Sequence, residues 1–319
     1  MGCGMVVSGF VRNVPGSLNM AIQKEIWMSS IIEGLFADNS FLSKAFNADE
    51  FVNSGKTVHI PNAGTPSNVV KNRTGKPATV ETRTDVDLTF NLDEYTTDPI
   101  YISNAETVEL SYTKRESVLS QDKAKLIDEV SKGILFNWAP LSANSVKTTG
   151  PADNAYTDSA TGNRFNILKS DVLNVMTKFN ADNVPMTERY LLLDAQMYSQ
   201  LLNDLTDKES QAFFAAADVK RGVVGQLYSF DVMLRSQVLR YTGGGSAKDW
   251  STAGSATDCA AALAWHKNSV CRAKGEIKAF ETEDDPTWYG DIYSFLVRAG
   301  GRKMRNDVKG VVAIIQGAA

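Results

Sequence analysis

From Asp85 to Asp93 the chain alternates without a break: Val86, Leu88, Phe90 and Leu92 fall between Asp85, Asp87, Thr89, Asn91 and Asp93. Successive side chains of a strand point to opposite faces, so this pattern predicts a strand with one apolar and one wet face. Lys56-Thr57-Val58-His59-Ile60 alternates in the same way, and Asn62 to Lys76 between them is rich in Gly, Pro, Asn and Thr. Gly55 to Ile102 therefore reads as a long two-legged ribbon with an irregular tip. Legs of ~20 residues at ~3.3 Å each reach ~60 Å, whereas a compact chain of this size has a radius of gyration of only ~20 Å. The ribbon must fold back or protrude, and it carries too few apolar residues to stand alone. A neighbouring subunit is its natural support.

The rest of the chain is ordinary globular material. Its 319 residues are 43% hydrophobic and 22% charged, enough to bury a sizeable core and unlike a disordered or fibrous composition. A net charge of -4 and a pI near 5.4 leave no basic footprint for gripping a row of phosphates, which disfavours tight sequence-specific DNA binding. Cys3, Cys259 and Cys271 cannot make a disulfide framework, and with only His59 and His266 beside them no zinc quartet exists at ligand spacing. A reducing compartment fits this usage. No export or lipid signal is legible at the N-terminus, and no run of about 18 apolar residues could span a membrane.

Three further regions follow from periodicity. Ser17 to Asn47 places Leu18, Ile22, Ile26, Ile31 and Leu35 at helical spacing, with Phe41, Leu42 and Phe46 as a second apolar anchor, and reads as an N-terminal helical arm. After the capping box Ser103-Asn104-Ala105-Glu106, a helix from Tyr112 to Trp138 carries a stripe of Leu119, Leu126, Ile127, Val130 and Ile134 and is stopped by Pro140. At 1.5 Å per residue it runs ~40 Å, about the width of the molecule, so it is a spine. Residues 141–164 read as a polar loop. Beyond them α and β alternate. A helix spans Asn166 to Asn180, using Ile167, Leu173, Val175, Met176 and Phe179, and Arg189 to Leu193 form a buried strand. Asp194 caps the next helix, a strand runs through Phe230, Val232 and Leu234, and 242–258 is a flexible loop. Cys259 to His266 is an apolar strand and Asn268 to Lys274 a turn of helix, before the chain returns to β at 276–281, 287–298 and 308–316.

Motifs that would carry chemistry are incomplete. Gly55-Lys56-Thr57 ends like a phosphate loop, but Glu50 stands where its first glycine belongs. Ser111-Tyr112-Thr113-Lys114 has the spacing of a serine-lysine acyl-enzyme without its companion motifs. No nucleophile elbow occurs, and His59 and His266 both lie in predicted strands, where structural histidines are the rule. The acidic run Glu281, Glu283, Asp284, Asp285 before Trp288 reads first as a solvated turn and second as a subunit contact. The ribbon tip Lys71, Arg73, Lys76 reads the same way with the opposite sign. No catalytic residue, cofactor site or metal site is assigned.

The order of elements resembles the major capsid proteins of tailed bacteriophages with the Hong Kong 97 fold. Loose local patterns sharpen the likeness: Asp98-Pro-Ile-Tyr-Ile-Ser-Asn-Ala-Glu106, Gly225 to Ser236, Ala264-Trp-His-Lys267, and Tyr289-Gly290 through Arg302 to Val312. The resemblance implies an α+β, HK-97-like capsid fold. It divides into an N-terminal arm (1–53), an extended β-hairpin E-loop (54–101), a P-domain with the long spine helix (102–163 and 276–319) and an α/β A-domain (164–275). It implies a non-enzymatic structural protein that self-assembles, as hexamers and pentamers, into the icosahedral head shell around a double-stranded DNA genome. The DNA would be held only non-specifically, without membrane or cofactor. The expected partners are a separate scaffolding protein, a portal and cement proteins, and the expected location is the virion capsid, assembled in the host cytoplasm. Only about 50 residues precede the ribbon, and with Met1 this favours scaffolding as a separate protein over a fused and cleaved segment. In that family the ribbon lies across its neighbour, so the basic tip and the acidic run are the expected contact between subunits. Three other readings stay open: an encapsulin-type nanocompartment shell, an α+β hydrolase, and a surface binding module using 242–258.

Overall fold

A computed structural model describes residues 31, 39–53, 56–60, 69–74, 80, 87–103, 113–218, 221–305 and 307–319, with the side chains of 113–118 and 284 left aside. Most of the Ser17 to Asn47 pattern and residues 104–106 of the capping box lie outside this set. The fold is mixed α+β and is arranged around one long helix, α1 (Thr113–Trp138), of 26 residues. Leu119, Leu126, Ile127, Val130, Ile134 and Trp138 are buried along it, the stripe that the spacing predicts, and the helix stops two residues before Pro140.

Beneath that stripe lies a long hairpin, Val270–Asp285 with Gly290–Lys303, paired antiparallel from Val270↔Lys303 to Asp285↔Gly290 with two bulges. Leu126, Val130 and Ile134 share one core with Ala279, Phe295 and Val297 of the hairpin. Trp138 closes the end of this core, its indole Nε1 donating to the Cys271 carbonyl at 2.9 Å and its ring 5.7 Å from that of Trp265. The outer edge of Gly290–Lys303 takes two short strands, Asp93–Thr96 and Ile100–Ser103, both antiparallel. The leg of the ribbon that leaves Leu92 is thus built directly into the sheet under the spine.

At the ribbon's base, Thr57–Ile60 pairs antiparallel with Leu88–Asn91, setting Val58 opposite Phe90 and Ile60 opposite Leu88. Val58, Ile60, Leu88 and Leu92 are buried against Ala48, Cys271 and Ala273, while His59 points out. One face is therefore dry and the other wet, as the alternation requires.

The remaining body is an eight-stranded sheet. Its middle is Cys259–His266, with Arg189–Asp194 and Leu239–Tyr241 sharing one edge and Val311–Ile315 on the other. Phe230–Arg235 continues it parallel to Arg189–Asp194, and Val223–Leu227 ends it. Three helices, α2 (Lys169–Ala181), α3 (Ala195–Asp204) and α4 (Asp207–Ala215), join it. Tyr190 and Leu192 belong to the spine's core, whereas Leu191 and Leu193 belong to a second core with Val172, Val175, Phe179, Met197 and Leu201. A strand buried on both faces reads as a continuous apolar run, which is how Tyr190 to Leu193 appears in the sequence. Asp194 caps α3 as expected, its Oδ1 accepting the Met197 amide at 2.7 Å.

Several expectations are corrected. Residues 141–164 are not a plain loop: they hold a 3-10 turn, Ser142–Asn144, and the strands Ser145–Lys147 and Ala152–Asn154, the latter paired with Asn163–Phe165. Their polarity reflects exposure rather than lack of structure. The expected boundary at 275/276 falls inside the single strand Val270–Asp285, which begins directly after a 3-10 turn at Lys267–Ser269 rather than after a longer helical turn. Val311–Ile315, assigned to the spine's domain, instead joins the eight-stranded sheet, pairing with Cys259–His266 and, in parallel, with Ser145–Lys147. Leu173 and Leu234 are exposed; on α2 the neighbouring Val172 and Val175 fill the inward positions instead.

Candidate functional site

Two ends carry the residues singled out from sequence. At the ribbon tip, Lys71 and Arg73 are exposed in a turn in which Asn72 adopts the left-handed conformation (φ 53°), and neither makes an ion pair among the described residues. Lys76 lies outside the described residues. Val69 and Val80, before and after this turn in sequence, are more than 90% exposed.

The other end is the turn of the long hairpin. The Thr287 amide donates to Asp285 Oδ1 and the Tyr289 amide to the Asp285 carbonyl, each at 2.7 Å, so Asp285 organises the turn as a local acceptor. Tyr289 takes φ 54°, and Gly290 follows because the Ile102 carbonyl stands where a Cβ would be. Glu281, Glu283 and Asp285 are half-buried here, and the side chain of Asp284 is outside the described set. Trp288 and Tyr289 are 60% and 75% exposed, with the Tyr101 ring 6.2 Å from that of Trp288 and Phe280 also open to solvent. Among the described residues no ion pair joins Lys71 or Arg73 to Glu281, Glu283 or Asp285.

Counting charges found both ends but missed their apolar character. Val69-Val70 beside the basic residues and Trp288-Tyr289 beside the acidic ones are the signal, since large apolar side chains at the point of a turn gain nothing from water.

Groups suited to catalysis are engaged elsewhere. His266 is buried, and its Nδ1 accepts the Asn268 amide at 3.2 Å, with burial lowering its affinity for a proton. The Cys271 thiol is pushed up to about 11 by burial, so it stays neutral and unreactive. Among the described residues no group of three or more His, Cys, Asp or Glu converges as a metal site. No described helix is long and apolar enough to cross a membrane.

A buried ion cluster lies under the loop 242–258. Asp258 has no exposed surface; Lys248 Nζ reaches it at 2.7 Å and Arg240 Nη1 at 3.9 Å. Arg240 also donates to the carbonyls of Asp249 and Thr252 and lies 5.1 Å over the Trp250 ring, while Arg164 donates to four carbonyls at 161, 163, 256 and 258. The loop expected to be flexible is thus tied through 248–258 by cations.

A helical spine over a long hairpin, a paired ribbon rooted in that hairpin's sheet and an α/β body define the Hong Kong 97 capsid fold. The comparison with solved structures agrees. The chain is similar to the capsid protein of cyanophage P-SCSP1u (TM-score 0.55, 16% identity, 86% of each chain covered). It is also similar to that of the mature capsid of bacteriophage PhiM1 (TM-score 0.55, 12% identity, 98% of this chain and 90% of that one). A virus-like particle from Pyrococcus furiosus shares the fold with a TM-score of 0.50 and 12% identity, covering 92% of this chain and 99% of that one. No family model matches the sequence, and no curated protein matches it either.

Proposed function

We propose that this chain is the major capsid protein of a tailed bacteriophage, a structural and non-enzymatic subunit that assembles with itself into the shell of the head. One observation carries the reading: the fold shared with phage capsid structures covers 86% of this chain in one comparison and 98% in another, ribbon, spine and α/β body together. A ribbon with exposed valines at its tip and a hairpin with exposed aromatics at its turn suit a protein completed by neighbours. A net charge of -4 suits an inner wall that need not grip packaged DNA.

In this reading residues 54–101 form the E-loop. The spine and the hairpin 270–303 form the P-domain, and the α/β body, including 145–147 and 311–315, forms the A-domain. Lys71, Arg73 and Lys76 of one subunit dock near Glu281, Glu283, Asp284 and Asp285 of the next. Separate scaffolding, portal and cement proteins, non-specific contact with DNA, assembly in the host cytoplasm and location in the virion follow from the same reading. An encapsulin-type shell is the second reading, supported by the likeness to the Pyrococcus particle.

Size-exclusion chromatography followed by negative-stain imaging tests the proposal. Closed particles hundreds of ångströms across are expected, and co-purification of nuclease-protected DNA from infected cells separates a phage head from a nanocompartment. A protein that stays monomeric at all concentrations, alone and in infected cells, overturns both readings.

A further inference from the structure

Gly133 is the one glycine in the sequence of the spine helix, and glycine is a poor helix residue, so its place there calls for another reason. The reason is Tyr95. A Cβ at Gly133 would overlap the Tyr95 hydroxyl and come within 3.0 Å of the ring carbon Cζ, so the ring points end-on into a notch in the helix. Tyr95 lies on Asp93–Thr96, the strand that begins directly after the ribbon leg at Leu92. Asp93, on the same face, accepts a hydrogen bond from Asn137 Nδ2 at 3.1 Å, one helical turn beyond Gly133. On the opposite face Glu94 pairs with Arg298 at 2.7 Å, and the backbone of Tyr95 is in register with Val297. Past Tyr95 the chain stands off the spine, over a cavity of about 520 Å³ lined by residues 94–100 on one side and Asp122, Lys125, Leu126 and Glu129 on the other. The root of the ribbon is therefore held to the spine over a short span, with a ring in a notch at its centre.

We infer that Tyr95 and Gly133 are positioning residues that fix the ribbon's direction from the spine within the single subunit, before any neighbour engages it. The consequence for shell geometry rests on the capsid reading above; the joint itself does not. An extended leg of ~20 residues would reach ~60 Å, so a tilt of ~10° at the root would move its end by ~10 Å, enough to miss a partner site. The tip contact is then the second step, made by a ribbon already aimed.

The test uses the full chain in three forms: Gly133→Ala, Tyr95→Phe, and both together. Alanine favours helix, so Gly133→Ala should leave the spine helical by circular dichroism while raising amide exchange across 93–96 by roughly tenfold or more. Particles formed by it should vary in diameter or fail to close. Tyr95→Phe removes only the oxygen and should exchange and assemble as the parent does. The double variant, in which the missing oxygen makes room for the new methyl, should return towards the parent in both exchange and particle diameter. Non-additivity of this kind marks direct contact. Unchanged exchange at 93–96 in Gly133→Ala overturns the joint, and so does a double variant no better than Gly133→Ala. Should Gly133→Ala not fold, recovery of the double variant still supports the joint and its failure still overturns it. Parent protein that forms no particles overturns the capsid reading alone, since the exchange measurement decides the joint independently.

Discussion

Asp258 shows how far single residues decide the character of a loop. With Lys248 and Arg240 it forms a cluster almost without exposed surface, and removing the one carboxylate would leave two cations buried. Breaking such a pair from one side costs about 3–5 kcal/mol, so Asp258→Asn should lower the stability measured by urea unfolding by that order. A loss under ~1 kcal/mol would show that the cluster is hydrated and weak. His266 gives a pH-dependent counterpart. Its folded form holds a proton less readily than the ordinary value of 6.5 because it is buried, and its Nδ1 is already used as an acceptor. The unfolded chain therefore binds more protons, and this contribution is present above pH 6.5 and lost as pH falls through that value towards the lower folded one. Thermal melts of His266→Gln should show a shallower decline than the parent between about pH 7 and pH 5. Equal slopes would place the acid sensitivity elsewhere.

At the scale of elements, the spine and the hairpin stabilise each other. Leu126 and Ile134 are 5% and 2% exposed and face the hairpin's inner side chains. Truncating either to alanine should cost about 2–5 kcal/mol and lower the melting temperature, since the rigid sheet beneath cannot collapse into the space. An unchanged melting temperature would mean that this face is not buried in solution. Spine and ribbon base were legible because each displays a local period, 3.6 or 2, and the buried strands because each is a continuous apolar run. The strands at Ser145–Lys147 and Ala152–Asn154 were not legible, since short polar strands display no period and exist through their partners. Of the candidate site, the two charged ends were readable as charge runs. The aromatic surface at Trp288 and Tyr289 became evident only once the turn set both rings in solvent.

In the proposed shell the basic ribbon tip and the acidic hairpin turn meet across subunits, so their pairing is tested in the assembly. Changing Lys71, Arg73 and Lys76 together to Glu should impair assembly while the subunit still melts cooperatively. Adding Lys at 281, 283, 284 and 285 in the same chain should partly restore particles. Exposed pairs contribute only ~0–1 kcal/mol each and are screened by salt, so parent particles should also loosen as ionic strength rises. Absence of any rescue, with both variants folded, would show that the two ends are not partners and that the exposed valines and aromatics meet other surfaces.

The order of elements along the chain was written in the sequence, because amphipathic period, caps and prolines act within a few residues of one another. Which elements meet was not. Val311–Ile315 lies beside Ser145–Lys147 although some 165 residues separate them in sequence, and its all-apolar run fits either sheet equally well. Gly133 reads as a mild flaw in a helix until Tyr95 is seen to occupy its missing side chain. Asp258 reads as one more loop acid until its cations converge from 240 and 248. Periodicity tells a segment which of its faces must be covered, but the covering partner is chosen by shape and charge across the folded chain, and only the tertiary structure records that choice.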